Sequence, residues 1–295
     1  KDPSRLEEAR KDFPNISTFT EVDDLLQQSE IDLIAVLTPH NSHTVLAEKV
    51  LRSGRHCIIE KPMCIHADDA DRLIRLAAQK GLMLSVFHNR RWDGWYLTVK
   101  DLLADGKLGE IFHVEMFKGG FIPPKGTWRD EEEITGGAFY MWGAHYIDYL
   151  LGLIPGKIES VRGTRHKRLW HQKTNADQVD SFIYFENGAA AHVQISSIAR
   201  APKAAFRILG TKGAVVVEEG SNKLYLYHGE GNENKRTEVE MLKKDYGAYY
   251  DNIADYFMHG AELIVKPEEA RRVVAVIETT EQSARLGRDL SVPFE

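Results

Sequence analysis

The sequence has no apolar run that approaches the length of a membrane span, few cysteines and no excess of positive charge. A transmembrane helix needs about 18 or more consecutive apolar residues, so none is predicted. The two cysteines, Cys57 and Cys64, are too few to staple a chain of this size, and we expect free thiols in a reducing cytoplasm. The net charge of −6 predicts no broad basic surface, which argues against nucleic-acid and anionic-membrane partners.

The 295 residues, 43% of them apolar and 28% charged, are enough for two globular domains. In the first third, apolar runs of strand length at 31–37, 55–60 and 82–87 alternate with helical patterns. This alternation predicts βαβ units and a parallel sheet, and such sheets bind ligands at the carboxyl ends of their strands. Polar residues follow all three strands, namely Thr38-Pro39, Glu60-Lys61 and Asn89-Arg90-Arg91.

The pattern changes near residue 110. Strand-like runs with short connections predict a second, α+β domain with an open, mainly antiparallel sheet. We therefore divide the chain into an α/β domain at 1–109 and an α+β domain at 110–295. The predicted strands of the second domain are 110–118, 157–166, 179–186, 189–198, 203–209, 213–218 and 222–228, and its predicted helices are 138–151, 246–259 and 267–286.

Lys61 stands at the end of the strand at 55–60 and directly before Pro62. The proline favours an extended conformation at Lys61, so the lysine is held at the strand end. Taken alone, an ordinary solvated lysine is the more common outcome. A cationic amine at the ligand-binding edge of a parallel sheet is the alternative, and the neighbouring motifs favour it.

A second candidate lies on the predicted helix at 138–151, which follows Gly136-Gly137. His145 shares one face of this helix with Met141 and Trp142, because residues three and four apart are neighbours. A histidine on an apolar helical face is most often a hydrogen-bonded core residue. Imidazole is also the commonest general base near neutral pH, so both interpretations stay open.

Taken together, these landmarks resemble the glucose-fructose oxidoreductase/inositol dehydrogenase (Gfo/Idh/MocA) family. The blocks Glu60-Lys61-Pro62 and His145-x-x-Asp148 are fairly specific as a pair, and the match runs along the whole chain. The further matching landmarks are Thr38-Pro39 with His43, Asn89-Arg90-Arg91, Leu108-Gly109-Glu110, Trp128-Arg129, Gly136-Gly137 and Glu281-Gln282-Ser283 with Gly287. The resemblance implies a partial Rossmann-type domain followed by an open-sheet domain, which would form a homodimer or homotetramer.

The resemblance also implies the activity and the roles of single residues. Hydride would pass between NAD or NADP and the carbinol carbon of a sugar, sugar acid or cyclitol. Lys61 would bridge the nicotinamide ribose and the reacting oxygen, and His145 would take the hydroxyl proton. The implied cofactor contacts are Thr38, Pro39, His43, Glu60, Lys61, Arg90, Trp128 and Arg129, and the implied substrate contacts are Arg91, Trp92, Met141 and Trp142. The remaining histidines lack metal-ligand spacing, so no metal site is predicted.

One departure from the family is the absence of its Gly-x-Gly-x-x-Gly turn, which binds the pyrophosphate together with a helix N-terminus. Lys1-Asp2-Pro3 matches the segment just after the acidic residue that would hold the adenosine ribose. The first strand, the first helix and the second strand of the domain are therefore expected to precede Lys1. Residues 1–295 alone are expected to bind a dinucleotide poorly or not at all, and they do not distinguish NAD from NADP.

The second departure is Met141, which stands where the family usually places an aspartate one helical turn before the histidine. An aspartate there would bind a substrate hydroxyl and raise the basicity of the histidine. Without it, His145 acts alone or the substrate presents an apolar face. Two alternatives to a dehydrogenase stay open. One is a lyase or glycosidase that oxidises its sugar transiently and recycles NAD. The other is a non-catalytic sugar-binding or scaffold subunit, which Met141 and the missing glycine turn would explain.

Overall fold

The structure, a computed structural model, describes residues 3–27 and 30–293. Lys1 and Asp2, on which the expectation of a preceding segment depends, lie outside the described residues. The first region contains strands β1 (Leu33–Val36), β2 (His56–Ile59) and β3 (Leu84–Val86) and helices α1 (Pro3–Asp12), α2 (Val22–Leu26), α3 (His43–Arg52) and α4 (Ala67–Lys80). Short 3-10 helices follow β1 and β3, at His40–Ser42 and Asn89–Trp92.

The three strands form a parallel sheet in the order β1-β2-β3, as the sequence predicts. Helix α4 covers the sheet with an apolar stripe, because Ala70, Leu73 and Ala77 are three and four residues apart and all buried. The helix ends at Gly81, whose φ of 64° is the left-handed conformation that terminates many helices. The carboxyl ends of all three strands therefore meet at one edge, where the candidate residues lie.

The second region begins with helix α5 (Gly94–Ala104) and is built on an eight-stranded sheet. Its strands are β4 (Ile111–Gly119), β5 (Ile158–His166), β6 (Gln178–Phe185), β7 (Ala190–Ser196), β8 (Phe206–Gly210), β9 (Gly213–Val217), β10 (Lys223–His228) and β11 (Lys235–Glu240), and its further helices are α6 (Glu132–Thr135), α7 (Phe139–Leu153), α8 (Ala248–His259) and α9 (Pro267–Leu286). The strand order is β11-β10-β9-β8-β4-β7-β6-β5. Only β4 and β7 pair in parallel among these described strands, so the predicted mainly antiparallel sheet is confirmed.

Helix α9 joins the two regions, because it packs on α4 of the first and on α7 and β5 of the second. The contact with β5 is close: a Cβ on Gly163 would lie 2.0 Å from the carbonyl oxygen of Thr280. Only a glycine allows this approach of strand and helix. Helix α7, which carries His145, is buried along most of its length between α9 and the sheet.

One strand, β11, escapes the sequence patterns. Its residues Lys-Arg-Thr-Glu-Val-Glu have no apolar alternation, and five of the six are exposed. The strand pairs with β10 alone at the edge of the sheet, where charged side chains discourage further strand addition.

Cys57 and Cys64 are both buried, and both thiols are free, as expected. In the part of the chain that the structure describes, no helix has the length and apolar character of a membrane span.

Candidate active site

Lys61 reaches from the end of β2 into the second region. Its Nζ donates a hydrogen bond of 2.9 Å to the backbone carbonyl oxygen of Met141 on α7, and its backbone N–H donates to the carboxylate of Glu60. Burial lowers the pKa of Lys61, Glu60 opposes this effect, and the charges of Arg90 and Arg129 reinforce it, which brings the pKa to about 8. At pH 7 the amine is therefore mostly protonated and carries its positive charge into a partly buried site.

His145 lies one helical turn after Met141. In an α-helix the carbonyl of residue 141 points towards the backbone N–H of residue 145, so the Lys61 amine sits beside the turn that carries the imidazole. His145 is 7% exposed. Burial lowers its pKa well below 6.5, and the nearby Lys61, Arg90 and His88 act in the same direction. The ring is thus neutral at pH 7 and able to accept a proton.

The start of α7 is fixed by Gly136-Gly137, which has φ values of 87° and 140°. A Cβ on Gly137 would lie 2.5 Å from the Oε1 atom of Glu281 on α9. The same carboxylate oxygen accepts the backbone N–H of Phe139 at 3.2 Å. The two glycines therefore let the chain pass close to Glu281, which holds the first turn of the helix and with it the direction in which His145 points.

A cavity of about 410 Å³ opens above Lys61 at the edge of the parallel sheet. It brings together seven of the residues that the resemblance implies, namely Thr38, Pro39, Glu60, Lys61, Trp128, Arg129 and Met141. A longer apolar groove of about 750 Å³ shares Thr38 and Pro39 with this cavity. One end of the combined cleft is therefore polar and cationic, and the other end is apolar.

A smaller cavity of about 230 Å³ adjoins the first on the side of the large sheet. The two cavities share Arg129 and Met141, and Trp142 forms part of the wall of the smaller one. Arg90 and Lys118 lie 4.9 and 5.0 Å from the centroid of the Trp142 ring. Arg90 also pairs with Asp93 at 3.1 Å. The smaller cavity therefore has room for a small polar molecule next to the reacting groups.

His43 is reassigned, because the structure gives it no polar atom for the cofactor. The side chain is fully buried, and its Nδ1 and Nε2 atoms lie 2.8 and 2.7 Å from the carbonyl oxygens of Pro62 and Thr38. The ring thus lies between the ends of β1 and β2 and contacts the Lys61-Pro62 turn. This geometry gives no support for a polar contact between His43 and the cofactor, and the predicted contact remains a prediction.

Arg91 and Trp92 are also reassigned, because they line a different cavity from Lys61. The Arg91 guanidinium binds both carboxylate oxygens of Asp148, a Glu269 oxygen at 2.7 Å and the carbonyl oxygen of Ile264. Burial opposes its charge, but the two carboxylates outweigh this effect and raise the pKa of Arg91. The Arg91 side chain is committed to ion pairs with Asp148 and Glu269, which gives no support for the predicted substrate contact, and that contact remains a prediction.

Two histidines near the site, His40 and His88, are not among the site residues predicted from the sequence. His40 lines the Lys61 cavity, packs edge-on against Trp128 with ring centroids 5.1 Å apart, and shares a hydrogen bond with the carbonyl oxygen of Thr135. His88 follows β3 and lies 3.8 Å from Asp148. Both could have been predicted as site residues, because each stands shortly after a strand of the parallel sheet. Among residues 3–27 and 30–293, no group of histidine, cysteine and acidic side chains is arranged as a metal site.

The chain is similar to known proteins over both regions of the fold. The sequence model described as the oxidoreductase family with an NAD-binding Rossmann fold matches residues 1–88, and that of the C-terminal alpha/beta domain of the same family matches residues 100–294. The scyllo-inositol 2-dehydrogenase (NADP(+)) IolW of Bacillus subtilis is 29% identical over 97% of this chain and 86% of that protein. The UDP-N-acetylglucosamine 3-dehydrogenase of Acidithiobacillus ferrooxidans is 26% identical over 71% of this chain and 62% of its own.

Among solved structures, the Bacillus subtilis protein yvaA superimposes with a TM-score of 0.89 and 26% identity, over 98% of this chain and 88% of that chain. The two family models together span both regions of the fold, the parallel sheet and the large open sheet. The chain therefore belongs to the Gfo/Idh/MocA family of oxidoreductases, with an NAD-binding Rossmann-type domain followed by the family's C-terminal alpha/beta domain.

Proposed function

We propose that the protein interconverts a secondary alcohol and a ketone on a sugar, sugar acid or cyclitol, with Lys61 and His145 as the catalytic pair. The observation that carries the proposal is the hydrogen bond from the Lys61 amine to the carbonyl of Met141, one turn from a neutral His145. The protonated amine holds the substrate oxygen and stabilises negative charge on it. His145 accepts the hydroxyl proton, so the carbon can release its hydrogen with both bonding electrons.

The combined cleft supports a nicotinamide dinucleotide as the second reactant. When bound, NAD or NADP supplies the acceptor of those two electrons in oxidation and the donor in reduction. Thr38, Pro39 and Glu60 line the part of the cleft next to Lys61, and Trp128 with Arg129 forms its outer wall. These residues offer hydroxyl and guanidinium donors and a carboxylate acceptor, which fit the ribose and phosphate groups of a dinucleotide.

The substrate class is supported by the relatives and by the small cavity beside Met141. One relative is named for a cyclitol and another for a sugar nucleotide. Trp142 provides a flat apolar surface of the kind on which the carbon-bound hydrogens of a sugar ring stack. Met141 adds a second apolar contact in place of a hydroxyl-binding carboxylate, which favours a substrate that presents little polarity at that point.

We also propose that two copies of the chain associate through the outward face of the large sheet. On this face the Phe182 and His192 rings stack with centroids 4.4 Å apart, and His192 lies 2.9 Å from Asp180. Tyr184 projects beside them and is 43% exposed. An ordered aromatic and polar surface of this kind is typical of an interface. Light scattering after size exclusion measures the state, and a Tyr184→Glu variant should then run as a monomer.

The experiment for the activity uses the full-length protein. Binding of NAD and NADP is followed by fluorescence, and a panel of sugars, sugar acids and cyclitols is then read at the nicotinamide absorbance. Lys61→Ala and His145→Ala should each lower kcat by at least about a hundredfold, the usual contribution of a charge stabiliser or a general base. Lys107→Ala and His259→Ala serve as matched controls, because both side chains are exposed and neither lines the Lys61 cavity or the two cavities that adjoin it.

Two outcomes would contradict the proposal. Full activity of both Lys61→Ala and His145→Ala would remove the catalytic pair. Product formation without net NADH would replace the dehydrogenase with a lyase or glycosidase that recycles its NAD, and the same assay detects it when the product is followed by mass spectrometry.

A further inference from the structure

Three buried ring nitrogens next to the catalytic pair have no hydrogen-bond partner among the described residues. They are Nδ1 of His145 and both Nδ1 and Nε2 of His88. His88 is 1% exposed, so water does not satisfy its ring from outside. Buried polar atoms are bonded in the great majority of cases, and three exceptions in one place need a reason.

The position of His88 relates these atoms to one another. The residue follows β3, and its Nδ1 atom lies 3.8 Å from Oδ2 of Asp148. Asp148 lies three residues after His145 on α7, and residues at this spacing share one face of a helix. The ring of His88 therefore sits beside the helix face that carries both the base and a carboxylate.

Asp148 has an acceptor site left for this ring. Its Oδ1 atom accepts two Arg91 bonds, of 2.6 and 3.2 Å, whereas Oδ2 accepts only one, of 2.9 Å. A carboxylate oxygen has two lone pairs, so one direction at Oδ2 remains open towards His88. A movement of about 1 Å brings the 3.8 Å separation into hydrogen-bond range.

We propose that His88 is a positioning residue that links His145 to Asp148 when the base takes up its proton. In this arrangement Nδ1–H of His145 donates to Nε2 of His88, and Nδ1–H of His88 donates to Asp148. The Nε2 atom of His145 is then left unprotonated and faces the substrate hydroxyl. The proton removed from the substrate stays on His145, and Asp148 stabilises the resulting imidazolium through the neutral His88 ring.

The arrangement provides a carboxylate for the base, which the sequence lacks at position 141 because a methionine stands there. A carboxylate next to the base raises its basicity, and here the carboxylate acts through one intervening ring instead of directly. His88 can do this only while it is neutral. Burial lowers its pKa to about 4, which keeps the ring uncharged at the pH of the reaction.

The charged groups around the two rings come from every neighbouring element. Arg90 and Arg91 follow β3, Lys61 follows β2, and Glu269 belongs to α9. The groups that act on His88 are Asp148, Arg91, Lys61 and Glu269, and those that act on His145 are Lys61, Arg90 and His88. Asp148 is the acidic group among them that lies on the helix of the base, so it is the one that the link engages.

The inference rests on the proposed role of His145, and its test in the active enzyme is a pH profile of kcat. His88→Leu should lower kcat at least about tenfold with KM unchanged, because the general base becomes weaker while the substrate contacts remain. The acid limb of the profile should move to lower pH, because the imidazolium loses its support from Asp148. His88→Gln should retain most of the activity, since an amide can accept from His145 and donate to Asp148.

A second measurement needs neither turnover nor substitution in the site. Nitrogen-15 spectra of the histidine-labelled protein at neutral pH should show a proton on Nδ1, and none on Nε2, for both His88 and His145. An Nε2 proton on either ring would overturn the inference. So would an unchanged kcat and pH profile in His88→Leu.

The two proposals fail in distinguishable ways. Loss of activity in His145→Ala with full activity and an unshifted profile in His88→Leu would leave the proposed function standing and remove the link. Full activity in His145→Ala would remove the base itself. The nitrogen-15 spectra report the tautomers in either case.

Discussion

Two pairs of buried histidines surround the Lys61 amine, and its charge lowers the pKa of all four. In the first pair, His40 and His43 follow β1 and use their ring nitrogens to bond backbone carbonyls at 2.7 to 3.0 Å. In the second pair, His88 and His145 leave three ring nitrogens without a partner among the described residues. The first pair therefore holds the strand ends in place, whereas the second has the unused bonding capacity that the proposed reaction requires.

The largest expected effect comes from a property that the two pairs share, which is that burial keeps their imidazole rings uncharged at neutral pH. Burial lowers the pKa of His40 and of His88 to about 4, although a hydrogen bond to Thr135 opposes the shift at His40. In the unfolded chain both titrate near 6.5, so the unfolded state binds more protons between pH 6.5 and 4. Stability is then complete above pH 6.5 and falls as the pH decreases to 4, by about 3 kcal/mol for each histidine.

Guanidinium unfolding at pH 7.5 and at pH 4.0 measures this loss. His88→Leu removes one of the two titrating groups, so its loss between the same pH values should be smaller by about 3 kcal/mol. A free energy of unfolding that stays constant from pH 7.5 to 4.0 in the wild-type chain would contradict the prediction.

The next expected effect concerns the side-chain hydrogen bonds, in which the two histidine pairs differ. A neutral His43 ring has one N–H and donates to the carbonyl oxygen of either Pro62 or Thr38, so His43→Leu leaves one buried carbonyl oxygen without its donor and lowers the free energy of unfolding by about 1–3 kcal/mol. His88→Leu removes no hydrogen bond between described residues, so at pH 7.5 its stability should stay within about 1 kcal/mol of wild type. Equal losses in the two variants, measured by chemical denaturation, would show that the pairs do not differ.

The smallest expected effect concerns the pKa of His145, the proposed base. Met141→Asp places a carboxylate one turn from His145, which favours the imidazolium and raises the pKa of the base. The acid limb of kcat should move to higher pH by about one unit, the opposite direction from His88→Leu. Met141→Leu is the control and should leave the limb in place. A shift of the Asp variant to lower pH would show that the added carboxylate does not act on His145.

The parallel sheet and most of the second sheet are predictable from the sequence, because their strands are apolar and bounded by turns. Thr38-Pro39 and Glu60-Lys61 are predictable as members of one cleft, since the strand ends of a parallel sheet converge. Trp128-Arg129 lies in the second region, and only the family resemblance implied its place in the cleft. The partner of the Lys61 amine is not predictable. It is a backbone carbonyl 80 residues away, and a carbonyl carries no mark in the sequence.

The misplaced residues have physical reasons as well. Arg90 and Arg91 are adjacent in a 3-10 turn, where successive side chains diverge, so one reaches Trp142 and the other reaches Asp148. His43 begins helix α3, and nothing in the local pattern tells whether its ring faces a ligand or the backbone behind it. His88 directly precedes the Asn89-Arg90-Arg91 landmark, and only the tertiary contact with α7 gives it a role.

The hydrogen bond between the Lys61 amine and residue 141 uses the main chain of that residue and not its side chain. An exchange of the side chain at 141 therefore leaves the anchor of the amine in place, whatever replaces the methionine. In the proposed reaction, the group that holds the reacting oxygen is thus independent of the side chain that meets the rest of the substrate. A library at position 141 should accordingly alter which carbohydrates are accepted while the chemistry at the carbinol carbon continues.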